Sequence, residues 1–171
     1  MMRKVTLVLI TGFLICVIAF IYHAIQFVHS GTHYSILSIQ FAPRSRIDVI
    51  LQEWNRLHLL PLVVYNTTLD FFFIIFYVFL LVLYSHRRAQ LEQNRLLRSI
   101  LKMNVWIAVL AGILDGIENG IVLRNIQEFA TNPYYESARS ISILKFMLIG
   151  WVILVWIASR IASAGRINAV S

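Results

Sequence analysis

Charged side chains are scarce in this sequence. Only 13% of its 171 residues are Asp, Glu, Lys or Arg, whereas 59% are hydrophobic. A chain of this composition cannot cover a water-facing surface with polar groups, which excludes a soluble domain. The sequence therefore predicts an integral membrane protein.

Cysteine is nearly absent as well, because Cys16 stands alone. Thiol–disulfide relays need pairs of cysteines, so this class of membrane chemistry is excluded. A b-type haem would need two imidazoles inside the bundle, and His23 is the one histidine well placed for that. Zinc is disfavoured too, since the intramembrane candidates offer hard oxygen ligands. We expect neither a cofactor nor a metal ion.

Four long apolar runs are present. They cover roughly Val5 to Phe27, Leu59 to Tyr84, Val105 to Leu123 and Ile141 to Ala158. Each is near the length of about 20 residues with which an α-helix crosses about 30 Å of hydrocarbon. The runs lack the alternation of barrel strands, and only helices or closed barrels satisfy the backbone in lipid. We therefore predict an all-α fold, with one domain of residues 1–171 that forms a four-helix transmembrane bundle.

Lys and Arg are distributed unevenly between the two sides of such a bundle. One side carries Arg3, Lys4, Arg87, Arg88, Arg95, Arg98, Lys102, Arg160 and Arg166. The other side carries fewer, and nearby Asp and Glu residues offset them. The positive-inside rule then predicts a multi-pass protein of the plasma (inner) membrane with cytoplasmic N- and C-termini. The net charge of +7 follows mostly from this topology, and no motif indicates nucleic-acid binding.

The first connection, on the predicted extracytoplasmic side, contains a short amphipathic segment. Its apolar residues Ile47, Ile50, Leu51, Trp54 and Leu57 fall on one face at helical spacing. Such a helix would lie flat on the outer leaflet or fold over the bundle as a cap. We favour an anchoring role over that of a gate. The basic connection from Ser85 to Lys102 is expected to extend the second and third helices and to contact anionic lipid.

Three of the apolar runs contain side chains that are unfavourable in lipid. Asp70 lies in the second run, with Asn66 one turn away on the same face. The third run carries Asp115, Glu118 and Asn119 at positions i, i+3 and i+4, and the fourth carries Lys145. At a rise of about 1.5 Å per residue, the two aspartates reach nearly the same depth. An ionised group at the bilayer centre costs about 2.5 to 3.5 kcal/mol, so we expect these side chains to converge inside the bundle.

These groups predict a ligand- or ion-binding site. Its residues are Asn66, Asp70, Asp115, Glu118, Asn119 and Lys145. The two aspartates would contact a ligand or cation, Glu118 would pair with Lys145, and the two asparagines would orient the site. Three carboxylates against one ammonium leave an excess of negative charge, which protonation, a bound cation or water must remove. Alternatively, the same groups fix the register of the helices.

A family resemblance involves the same residues. Trp54, the Leu-Asp-Phe sequence around Asp70, the Leu-Asp-Gly-Ile-Glu-Asn sequence from Leu114 to Asn119 and Lys145 together resemble a pattern in bacterial four-span integral membrane proteins. The resemblance covers most of the chain from about Ile39 onward. It implies the bundle and the choice of site, and it implies no activity.

The function predicted from the residues is the binding of a lipid-like or small amphiphilic ligand in this buried acidic site, with membrane lipids as partners. Three alternatives stay open. An enzyme that acts on a lipid would use Asp70 or Asp115 as a general base. A proton- or cation-coupled transporter would require a homo-oligomer, because one four-span chain is small for a pathway. An accessory subunit of a larger membrane complex would use the buried site for architecture.

Overall fold

The structure is a computed structural model that describes residues 2–129, 131 and 135–168. Among these residues the regular secondary structure is entirely helical. The six helices are α1 (Met2–His29), α2 (Ile36–Gln40), α3 (Arg44–Arg56), α4 (Leu60–Leu91), α5 (Arg95–Gln127) and α6 (Arg139–Asn168).

Four of these helices, α1, α4, α5 and α6, are long and apolar enough to cross a membrane. The predicted all-helical, four-span fold class is therefore confirmed. The helices are longer than the predicted apolar runs, because their backbone hydrogen bonding continues into polar sequence. In the basic connection, α4 continues to Leu91 and α5 begins at Arg95, as expected.

Helix α4 is the centre of the bundle. It packs against α5 most extensively, and it also contacts α1 and α6. Helix α6 packs mainly on α5, whereas α1 packs mainly on α4. Among the described residues, α1 and α6 make little direct contact with each other. The bundle is therefore open between its first and last helices.

Local sequence explains where several helices begin and end. Asn94 caps α5, because its side-chain oxygen accepts hydrogen bonds from the backbone of Leu96 and Leu97 at 3.0 and 3.2 Å. Pro61 lies in the first turn of α4, where its missing N–H costs nothing. After α1, Gly31 adopts a φ of +74°, a left-handed conformation that glycine tolerates without strain.

Helices α2 and α3 cover one end of the bundle, which we call the capped end. The apolar face of α3 is buried there, and Trp54 is 0% exposed. Its indole nitrogen donates to the backbone carbonyl of Tyr34 at 3.3 Å, and its ring packs edge-on against Phe27. Of the two predicted placements for this amphipathic helix, the structure has the cap over the bundle.

The main hydrophobic core also lies at the capped end. It joins α3 to the adjacent ends of α1, α4 and α5 through Phe27, Ile50, Leu51, Val63 and Val122, among others. Farther along the bundle many apolar side chains are exposed instead, as lipid-facing residues would be. There the long helices are joined by ring pairs such as Phe13 with Phe73, as well as by polar contacts such as that of Tyr77 with Asp115.

Candidate functional site

Lys145 of α6 is the centre of a buried ionic group. Its ammonium donates to the Glu118 carboxylate at 2.8 Å and also to the Asp115 carboxylate. Both acids lie on the same face of α5, because they are three residues apart. Glu118 is fully buried, and the other two residues are each 4% exposed. The predicted pairing of Glu118 with Lys145 is present, and Asp115 shares the same cation.

Tyr77 of α4 is a member of this group that the sequence analysis missed. Its hydroxyl donates to the second oxygen of Asp115 at 2.9 Å. Tyr77 is seven residues after Asp70, which places both side chains on one face of α4. That spacing was the available signal. Asp115 thus accepts from a phenol and an ammonium at once, which fixes its position.

Asp70 has a different environment. One of its oxygens accepts a hydrogen bond of 2.8 Å from the amide nitrogen of Asn119. No basic side chain of the described residues lies within ion-pair distance of Asp70, although Asp115 and Lys145 are near enough to interact with it electrostatically. Asp70 is only partly buried. It is therefore the carboxylate of the site that remains without its own cation.

Asn66 lies apart from this group. Its side-chain oxygen is 3.0 Å from Nδ1 of His23, and the contact joins α4 to α1. Both side chains are buried. By their hydrogen bonds the six predicted site residues form three groups, which are Asp115 and Glu118 with Lys145, Asp70 with Asn119, and Asn66 with His23.

A large cavity lies in the gap between α1 and α6. Its volume is about 950 Å³, and α4 and α5 form its back wall. Five of the predicted site residues line this central cavity: Asn66, Asp70, Asp115, Asn119 and Lys145. Glu118 is not part of the lining. The polar residues that were predicted to converge inside the bundle therefore lie in or beside the wall of one cavity, in separate hydrogen-bonded groups.

The central cavity is long and mostly apolar. Its lining residues on α4 run from Asn66 to Tyr84, which corresponds to about 27 Å of helix at 1.5 Å per residue. On the side away from the capped end, the walls are formed by Phe13, Leu80, Ile153 and similar side chains. At the capped end, residues 32–37 and Gln40 form the lining. The cavity thus has a polar section near the cap and an apolar section beyond it.

Gln40 of α2 is a second residue that sequence reasoning missed. It is 8% exposed, it lines the central cavity, and its side-chain oxygen has no hydrogen-bond partner among the described residues. A buried acceptor without a donor costs about 1 to 3 kcal/mol. Such a group is unusual in a folded protein, and here it lies directly behind the wall of the cavity.

A metal site is not evident from the described side chains. No group of three or more His, Cys, Asp or Glu residues among them is arranged to hold a metal ion.

Near the opposite end of the bundle, Arg88 is buried and donates to Glu92 at 3.0 Å and to the backbone carbonyl of Ser159 at 2.7 Å. From sequence alone Arg88 contributes only to the positive-inside signal. It also joins α4 to α6.

Comparisons with known proteins provide no match. No family model, no curated protein and no solved structure matches this chain. The resemblance to bacterial four-span membrane proteins therefore stays a prediction.

Proposed function

We propose that this protein binds a lipid-like or small amphiphilic ligand in the central cavity. The observation that carries the proposal is the cavity itself, which is about 950 Å³ in volume and has carboxylate and amide groups in one section of an otherwise apolar wall. Ligand sites in proteins are commonly apolar clefts of about 300 to 1,000 Å³ with a few polar groups that orient the ligand. The cavity fits that description.

The distribution of side chains gives the orientation of the ligand. Its apolar part would lie along Phe13, Leu80 and Ile153, away from the capped end. Its polar end would lie beside Asp70 and Asn119, whose hydrogen bond keeps the carboxylate facing the cavity. An amphiphile satisfies both sections at once, whereas a wholly polar molecule would leave the apolar section in contact with water.

The route of entry follows from the packing of the helices. Because α1 and α6 make little contact among the described residues, the gap between them is a side opening of the bundle. In a membrane this opening would face lipid, so an amphiphile dissolved in one leaflet could enter without crossing water. Membrane lipids are then both the solvent of this protein and a source of its ligand.

The proposed location is the plasma (inner) membrane, with both termini in the cytoplasm. Support comes from the excess of Lys and Arg at the end of the bundle opposite the cap, which includes Arg3, Lys4, Arg95 and Lys102. The capped end and the polar section of the cavity would then lie toward the extracytoplasmic leaflet. A fluorescent-protein fusion to the C-terminus tests this orientation, because it would become fluorescent only in the cytoplasm.

Native mass spectrometry of the protein extracted gently with its own lipids tests the proposed binding. Ala24 lines the cavity, so an Ala24→Trp variant would fill part of it. Ile25 is the adjacent residue, is 49% exposed and does not line the cavity, so Ile25→Trp is the matched control. We expect a bound amphiphile on the wild-type and Ile25→Trp proteins and its loss from Ala24→Trp. Equal retention by all three folded proteins would contradict the proposal.

A further inference from the structure

The charges around the central cavity are not balanced. Asp70, Asp115 and Glu118 are acidic, and Lys145 is the one basic side chain among the described cavity residues that makes an ion pair with them. Its ammonium is already shared between Asp115 and Glu118. Lys145 is therefore poorly available to an anionic ligand, and Asp70 stays without a cation.

Two hydrogen-bond acceptors beside the cavity also favour a cationic ligand. Asp70 is partly exposed to the cavity, and the carboxylate can accept several hydrogen bonds. Gln40 is 8% exposed, and its buried Oε1 atom lacks a hydrogen-bond donor among the described residues. Both groups are acceptors. A ligand with a positive charge and N–H donors would pair with Asp70, and it would also satisfy Gln40 if the amide rotated its buried oxygen toward the cavity.

The position of Gln40 is well defined. Its backbone carbonyl accepts a hydrogen bond of 3.1 Å from the hydroxyl of Ser142, which is one turn before Lys145 on α6. The residue is therefore held over the same part of α6 that carries the ionic group. Asp70 lies on α4 across the cavity. A polar end placed in this section would lie between α2, which carries Gln40, and α4, which carries Asp70.

We infer that the ligand of the central cavity is an amphiphilic amine, which binds in its protonated form with Asp70 as its counter-ion and Gln40 as a hydrogen-bond acceptor. This inference rests on the proposed function, since it names the ligand class of the same cavity. The ammonium would lie in the polar section near the cap, and the hydrocarbon chain would extend toward Phe13 and Ile153. The charge that the ligand brings would offset part of the excess of carboxylates.

The test compares three ligands with the same chain and different polar ends. These are 1-dodecylamine, 1-dodecanol and dodecanoate, each added to the protein in phosphatidylcholine nanodiscs at pH 7, with adducts counted by native mass spectrometry. The amine is protonated there, because alkyl amines have pKa values of about 10.4. We expect dodecylamine to bind at least about tenfold more tightly than dodecanol, and dodecanoate to bind weakest.

Two variants assign this preference to Asp70. Asp70→Asn should abolish the preference for dodecylamine over dodecanol, and circular dichroism would show whether the variant is folded. Asp48→Asn is the same chemical change on α3, outside the cavity lining, and should alter neither. If Asp70→Asn proves unable to fold, Asp70→Glu keeps the charge and should keep the preference for the amine. A folded Asp70→Glu protein without that preference would overturn the inference.

A third variant isolates the role of Gln40. Gln40→Leu should weaken dodecylamine several-fold and leave dodecyltrimethylammonium unaffected, because the quaternary ion has no N–H to donate. Equal loss for both cations would remove Gln40 from the proposal.

The binding results distinguish a failure of the amine inference from a failure of the proposed function. Equal binding of all three ligands, insensitive to Asp70→Asn but lost in Ala24→Trp, would retain the cavity as an amphiphile site and overturn the amine. Tightest binding of dodecanoate would also overturn the amine and assign the polar end to Lys145. Absence of every adduct from the wild-type protein would overturn the proposed function itself.

Discussion

Lys145 of α6 donates a hydrogen bond of 2.8 Å to Glu118 of α5, and the Glu118 side chain is fully buried. The same ammonium also binds Asp115, so one cation stabilises two buried carboxylates. Buried ion pairs add little net stability when they are intact. Removal of one partner is costly, because it leaves a charge without compensation in a medium of low polarity.

We predict that Lys145→Met lowers the free energy of unfolding by about 3 to 5 kcal/mol. Unfolding by dodecyl sulfate in mixed micelles, followed by circular dichroism, would measure it. The triple variant Lys145→Met with Asp115→Asn and Glu118→Gln removes the orphaned charges and should recover most of the loss. If the single variant were as stable as the wild type, the ionic group would not be buried as described.

Trp54 provides a test of the cap. Trp54 of α3 packs against Phe27 of α1 and is 0% exposed, whereas Val49 of α3 is 51% exposed. We expect Trp54→Ala to lower the free energy of unfolding by about 3 to 5 kcal/mol, because it leaves a large cavity in the core. Val49→Ala should change it by less than about 0.5 kcal/mol. Similar small effects from both would instead indicate that α3 lies on the membrane surface.

The bundle and much of the polar group were predictable from sequence because their signals are local. The lengths of the apolar runs determine the number of spans. Helical rise predicts Asp70 level with Asp115 and Asn66 level with Asn119, whereas in the structure Asp70 bonds to Asn119, one turn from Asp115, and Asn66 contacts His23. Polar residues in lipid are few, so their partners can be sought among few candidates. The pairing of Lys145 with Glu118 followed from that scarcity.

The cavity and its cap-side lining could not be predicted in the same way. In lipid, apolar residues that face another helix resemble those that face the solvent, so the gap between α1 and α6 leaves no pattern. Gln40 lies in a helix of five residues, too short for a periodic signal. Tyr77 is one of several aromatic residues in the second apolar run, and only its spacing from Asp70 distinguishes it there from the residues whose side chains make no polar contact.

Glu53 gives a prediction about pH outside the membrane-spanning helices. Its carboxylate accepts hydrogen bonds of 2.7 Å from the Thr32 hydroxyl and from the backbone N–H of His33, and these bonds lower the pKa of Glu53 below its usual value. Because the pKa of Glu53 is lower in the folded than in the unfolded protein, its ionised carboxylate stabilises the folded state at pH values above the unfolded pKa. This contribution is lost as the pH falls through the lower, folded pKa.

The titration midpoint of Glu53, observed by carbon NMR of the carboxyl group, should therefore lie below that of an unstructured glutamate. Thr32→Val removes the hydroxyl donor and should raise the midpoint. Thr68→Val makes the same change on α4, where the hydroxyl donates to Val64, and should leave the midpoint of Glu53 unchanged. A midpoint that does not respond to Thr32→Val would show that the hydroxyl does not set the pKa of Glu53.

Gly112 and Gly116 of α5 provide a test of how closely α4 approaches α5. A Cβ atom on Gly112 would lie 2.5 Å from a methyl group of Val78 on α4, whereas nothing lies within 4 Å of the corresponding position on Gly116. Valine is stiff at χ1 and cannot move its methyl groups away easily. We therefore expect Gly112→Ala to be less stable than Gly116→Ala by about 1 to 3 kcal/mol in the same unfolding assay. Both variants gain the same intrinsic helix propensity, so their difference reports the contact alone. Equal stability of the two would mean that α4 and α5 do not approach each other closely at Gly112.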